Sequence, residues 1–192
     1  MNDFWLYLKL GVTHVLDWNA YDHVLFLIVL VTAYNFSNWK RVLVLVTLFT
    51  LGHTVSLLLA SYNIVSVSTN MIEFLIPMTI LIAALYNLYR TGKGGRKSKL
   101  WLYYIITIFF GLIHGFGFAS YFKMVNDDGS FLPLLEFALG IELAQIIVVL
   151  IVMIVGFVCQ ALFRFKKKNW VLVVSSMVIG MVIPMLFKNW PF

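Results

Sequence analysis

Long apolar runs separated by short polar stretches make up nearly all of this chain. The runs fall at about residues 20–36, 42–62, 71–89, 100–122, 132–163 and 170–187. Most approach or exceed the roughly 20 residues that an α-helix needs to cross a bilayer. The pattern predicts six transmembrane helices, the first of them short. A further apolar run at 4–16 stops at the polar Asp17-Trp18-Asn19 and predicts an interfacial or re-entrant helix rather than a crossing. The expected fold is all-α: a polytopic membrane helical bundle in which residues 1–192 form one transmembrane domain.

Composition narrows the function. Of 192 residues, 62% are hydrophobic and only 11% charged, with a mean hydropathy of +0.95. Soluble domains carry about a quarter charged residues. Six spans with short loops leave no room for a soluble catalytic or nucleotide-binding domain, and the chain has no ATP-binding motif. The single cysteine, Cys159, excludes an internal disulfide and any paired-cysteine metal or redox motif. The N-terminal Met-Asn-Asp lacks the basic start of a cleavable signal, so the chain is expected to begin with mature sequence.

The net charge of +6 is explained by orientation and calls for no nucleic-acid partner. Lys40 and Arg41 follow the first span. Arg90, Lys93, Arg96, Lys97 and Lys99 follow the third, and Arg164, Lys166, Lys167 and Lys168 follow the fifth. Basic residues thus gather in alternate loops, which marks those loops as cytoplasmic and puts both termini on the other side. Lys9, Lys123 and Lys188 are the remainder. Trp5, Trp18, Trp39, Trp101, Trp170 and Trp190 sit near span ends, as an aromatic belt requires.

With that orientation the ionisable residues concentrate at one depth. Asp22 and His23 lie near the outer end of the first span, and His14 precedes it. His53 is about nine residues, roughly 14 Å, below the outer end of the second. Glu73 opens the third, His114 lies in the outer half of the fourth, and Glu136, Glu142 and Gln145 in that of the fifth. Such groups cost several kcal/mol at membrane depth unless paired or hydrated. Each has a plain structural alternative: caps for Asp22 and Glu73, in the spacings Asn19 to Asp22 and Asn70 to Glu73, and interhelical bonds for His53, His114, Glu142 and Gln145. Those alternatives do not require a common level.

Imidazoles and carboxylates without thiolates suit nickel, cobalt or zinc. The expected ligands of a divalent transition metal are His23, His53 and His114, with Asp22 and Glu142 as ligand or support. Glu73 and His14 would line the approach, and Gln145, Thr50 and Thr54 would back the ligands. Being adjacent, Asp22 and His23 are expected to address different partners. Gly111, Gly115 and Gly117 form a small face around His114 that permits close helix approach. Met177, Met181 and Met185 read as packing, and Pro77 and Pro184 as kinks. Asp127 and Asp128 read as a surface loop, and the stretch 91–99 as a solvated basic loop that can meet anionic lipid.

Several strings in collinear order resemble the HupE/UreJ family of bacterial membrane proteins. They are Gly11-Val-Thr-His14, Tyr21-Asp22-His23-Val-Leu-Phe-Leu27, Phe49-Thr-Leu-Gly-His53-Thr-Val-Ser-Leu57, Ile72-Glu73, Phe110-Gly-Leu-Ile-His114-Gly-Phe-Gly-Phe-Ala119 and Leu139-Gly-Ile-Glu142-Leu-Ala-Gln145. The resemblance implies a multi-pass inner-membrane protein of the nickel or cobalt permease kind, with His14, Asp22, His23, His53, His114 and Glu142 as metal-binding candidates. Two features depart from it. No leader is visible, and Ala138 and Ala144 replace the usual Asn and Gly of the span-five string. Two other readings fit the same residues: an intramembrane zinc hydrolase with Glu142 as general base, and a structural subunit whose polar cluster is interhelical glue.

Overall fold

The computed structural model describes residues 3–92, 100–126 and 130–191. Lys93, Arg96, Lys97 and Lys99 of the basic loop, and Asp127 and Asp128, lie outside the described residues. Helices account for the regular structure: α1 (Asp3–Val15), α2 (Asp22–Val31), α3 (Trp39–Ser61), α4 (Thr69–Gly92), α5 (Leu100–Val125), α6 (Phe131–Ala161) and α7 (Lys167–Lys188). A 3₁₀ turn at Phe36–Asn38 leads into α3. The molecule is an all-helical membrane bundle.

Five helices, α3 to α7, are long and apolar enough to cross a membrane. The expected first span is shorter than its apolar run. α2 holds 10 residues, about 15 Å at 1.5 Å per residue, or half of a bilayer's hydrocarbon thickness. It ends where Thr32, Tyr34, Asn35, Ser37 and Asn38 make the sequence polar. Within its length α2 is buried on several sides at once, through Leu25, Phe26, Leu27, Val29 and Val31. An all-round apolar helix belongs inside a bundle, and α2 packs among α4, α6 and α7.

Around it the other helices associate as the pairs α3·α5, α1·α6 and α4·α7. In the first pair the backbones touch. A side chain on Gly52 would strike the Ile108 carbonyl, one on Gly111 the Phe49 carbonyl, and one on Gly115 the His53 backbone and the Ser56 hydroxyl. Small residues promote such approach in lipid, where association rests on packing rather than on the hydrophobic effect. The small face foreseen at Gly111 and Gly115 therefore meets α3; Gly117 instead faces the Ile76 side chain of α4.

α1 is anchored rather than merely laid on the surface. Gly11 and Gly140 cross so closely that a Cβ on either would meet the backbone of the other helix. Tyr7, Gly11 and Val15, spaced by four, turn inward, whereas Phe4, Trp5 and Leu6 stay exposed. The Tyr7 hydroxyl donates to the Val125 carbonyl at 3.1 Å, tying α1 to the last residue of α5. Pro77 sits inside α4 and has no N–H for the carbonyl four residues back. That carbonyl, of Glu73, instead receives the Asn189 amide at 3.1 Å.

Candidate metal centre

Four elements each bring one imidazole to a common point. His14 stands in the last turn of α1, His23 in the first turn of α2, His53 in α3 and His114 in α5. Ring centroids lie 4.6 Å apart for His14 and His23, 5.4 Å for His14 and His53, 5.5 Å for His23 and His53, and 5.1 Å for His23 and His114. His23, His53 and His114 are 2%, 0% and 1% exposed, so the cluster is enclosed by the bundle. The Gly111 and Gly115 contacts explain two of these placements, since they press the α5 backbone onto α3 beside His53 and His114.

Each ring keeps a nitrogen free. His14 Nε2, His23 Nε2, both nitrogens of His53 and His114 Nδ1 are buried without a hydrogen-bond partner. The second nitrogen of two rings is engaged. Asp22 Oδ1 lies 3.0 Å from His23 Nδ1, and the Thr79 hydroxyl lies 3.2 Å from His114 Nε2. That hydroxyl also reaches the Ile76 carbonyl at 2.7 Å. Engaging one ring nitrogen orients the other and selects the tautomer that leaves it available as a ligand.

Two groups of three gather ligand atoms within 4.8 Å of one another: His14, His23 and His53; and Asp22, His23 and His114. His23 belongs to both. Aromatic rings wall the cluster. Phe118 approaches His14 at 3.9 Å between centroids and stacks on Phe137 at 5.2 Å, while Phe26 and Phe49 lie 5.4 and 5.1 Å from His114. His14, half-buried, also borders an open cleft of about 660 Å³ lined by Thr13, Asp17, Asn19, Phe118 and Tyr121 among others.

Not every expected residue converges. Glu142 stands apart from both groups of three. Its carboxylate accepts from the Thr47 hydroxyl at 2.6 Å and from the Thr50 hydroxyl. Gln145 Nε2 donates to Thr50 Oγ1 at 3.0 Å, with Gln145 Oε1 buried and unpartnered. This second polar level shares α3 with His53, three residues along from Thr50. Thr54 bonds the Thr50 carbonyl at 2.8 Å and so serves the helix. Glu73 is exposed at the start of α4, and Glu136 is half-buried near the start of α6.

Two local expectations are corrected. Asp22 does not look away from His23; its Oδ1 takes both the backbone N–H of His23, at 2.8 Å, and the ring. At a helix start the first side chain can fold back on free N–H groups, which the helix-face argument ignores. The capping spacing from Asn19 does not form either: α2 has no side-chain cap bond, and the Asn19 backbone N–H is itself bonded to Asp17 Oδ1 at 2.9 Å. Thr79 was missed in the sequence. Its one signal is a hydroxyl in the middle of an apolar span, two residues after Pro77.

These features define a multi-pass helical membrane protein with a buried imidazole cluster flanked by one carboxylate. The chain belongs to the HupE/UreJ family: residues 1–189 match the family described as HupE / UreJ protein. No curated protein matches the chain, and no solved structure does.

Proposed function

We propose that this protein is a permease for a divalent transition metal of the nickel, cobalt and zinc group, with His14, His23, His53, His114 and Asp22 as its binding site. The observation that carries the reading is the set of free ring nitrogens. A buried polar atom without a partner costs on the order of 1–3 kcal/mol, and several in one place point to a missing common partner. Imidazole with one carboxylate is a donor set for borderline cations. Family membership supports the same class of cargo.

The cargo enters from the cleft beside His14 and meets the triad of His14, His23 and His53. It passes to Asp22, His23 and His114, a group that has the His23 ring in common with the first. A shared residue avoids a closed, four-ligand trap from which release would be slow. Thr50, Gln145 and Glu142 then offer oxygen donors further along α3 and α6. With the basic loops cytoplasmic, in the inner membrane of a bacterium, the movement is inward. A membrane potential of 100 mV supplies about 4.6 kcal/mol for a divalent ion crossing the full field.

The test is metal accumulation, by elemental analysis, in cells with and without the protein and with His53→Ala or His114→Ala. Accumulation is expected to fall to the background of cells lacking the protein in both variants. Wild-type accumulation in both, at equal expression, would overturn the proposal.

A further inference from the structure

A pair of cavities lies at the opposite, basic end of the bundle, away from the histidines. One is an open cleft of about 360 Å³ between the end of α4, the start of α7 and the segment after α2. Arg90, Lys167 and Lys168 line it with Ala33, Asn87 and Thr91. Among the described residues, no carboxylate forms an ion pair with them. None of the eight acidic residues lies on α7 or in the second half of α4. The ion pair found among the described residues is Asp22 with His23. Three cations around one cleft repel one another unless an anion joins them.

The cleft is also partly rigid. Arg90 Nη1 donates to the Tyr103 hydroxyl at 2.5 Å, its guanidinium lies 5.5 Å from that ring, and the same hydroxyl donates to Tyr86 at 2.9 Å. An arginine held this way retains further N–H donors in a fork that matches phosphate oxygens. The Thr91 hydroxyl is already spent on the Asn87 carbonyl at 2.7 Å, so the cations are the anion-binding groups.

The second cavity identifies the anion. A slot of about 120 Å³ between α2, α4 and α5 shares Ala33, Asn87 and Arg90 with the cleft and continues along Leu30, Ala83, Ile106 and Phe110. A free phosphate has no use for an apolar slot. We infer that this site holds an anionic phospholipid, its phosphate against Arg90, Lys167 and Lys168 and part of an acyl chain in the slot. Basic pockets between membrane helices bind such headgroups. Asn87, common to both cavities, donates to the Val29 carbonyl of α2 at 2.8 Å. The lipid therefore braces the end of α2 opposite to Asp22 and His23. The inference does not depend on the metal reading.

The test is native mass spectrometry of the full chain, delipidated in neutral detergent and titrated with phosphatidylglycerol, phosphatidylcholine or inorganic phosphate. Phosphatidylglycerol is expected to stay bound at least tenfold better than phosphatidylcholine and to resist matched inorganic phosphate. The double variant K167Q/K168Q and the slot-filling Ala83→Phe should each lower its retention about tenfold; the charge-matched pair K9Q/K188Q, at exposed positions outside both cavities, should leave it unchanged. Equal retention of phosphatidylcholine, or no effect of K167Q/K168Q, overturns the site. Displacement by phosphate, or full retention in a folded Ala83→Phe protein, overturns the lipid and leaves a headgroup-sized anion site.

Discussion

His53 carries the plainest conflict between stability and use. Both of its ring nitrogens are buried without partners, and the residue is fully enclosed. Without metal that arrangement is a cost, so a side chain of similar bulk with no polar atoms should relieve it. His53→Leu is expected to raise the stability of the metal-free protein by about 1–2 kcal/mol while removing metal binding. Thermal unfolding in detergent with a chelator present checks the first effect, and metal titration the second; a destabilised metal-free variant would count against a site held open for a ligand. Thr79 makes the complementary point. Its hydroxyl orients His114 from 3.2 Å, and such supports are worth about 10–100-fold in metal affinity. Thr79→Val should lose about that much in competition with a chromophoric chelator and leave stoichiometry intact. The histidines were legible because an ionisable group at membrane depth is conspicuous in a hydropathy pattern. Thr79 was not, since a lone threonine in an apolar helix normally bonds its own backbone, as this one also does.

At the level of whole elements, periodicity was nearly silent. Spans that are apolar all round have no wet face to mark, so the sequence indicated how many long helices there are far better than which ones touch. The glycines around His114 announced a close contact because two of them are neighbours on one face. Gly11 and Gly140 gave no such warning; each is a single small residue, and the partner is at the other end of the chain. α2 was overestimated for a related reason. Ala33 and Phe36 prolong the apolar run beyond Val31, although the polar residues among them end the helix. The Gly11 crossing carries a prediction about elements rather than residues. Gly11→Leu places a side chain against the Phe137 carbonyl and the Gly140 backbone, which forces α1 away from α6 and withdraws His14. The α3·α5 pair, with His53 and His114, does not depend on that contact. The variant is expected to remain folded by circular dichroism and to bind metal as weakly as His14→Ala. If its affinity equals wild type, α1 does not position His14 through this crossing.

Across the whole molecule, charge and chemistry divide between two ends. Among the described residues, cations that form no ion pair with a carboxylate collect at one, and the imidazole cluster sits toward the other. This polarity was readable from the loop charges, because charge distribution, unlike helix contacts, is written directly along the chain. The internal overlap of the two triads was not, since it needs His14, on a helix that does not count as a span, to reach His23 and His53. That overlap makes the final prediction asymmetric. A ligand that binds only the folded state stabilises it by about 2.7 kcal/mol at a concentration one hundred times its dissociation constant. Nickel, cobalt or zinc should therefore raise the unfolding temperature of the wild type, whereas magnesium and calcium, which prefer all-oxygen sites, should not. His14→Ala leaves Asp22, His23 and His114 together, and His114→Ala leaves His14, His23 and His53, so each should keep a reduced shift. His23→Ala breaks both triads and should abolish it. Equal losses in the three variants would mean a single four-histidine site, and the stepwise passage through His23 would fall with that result.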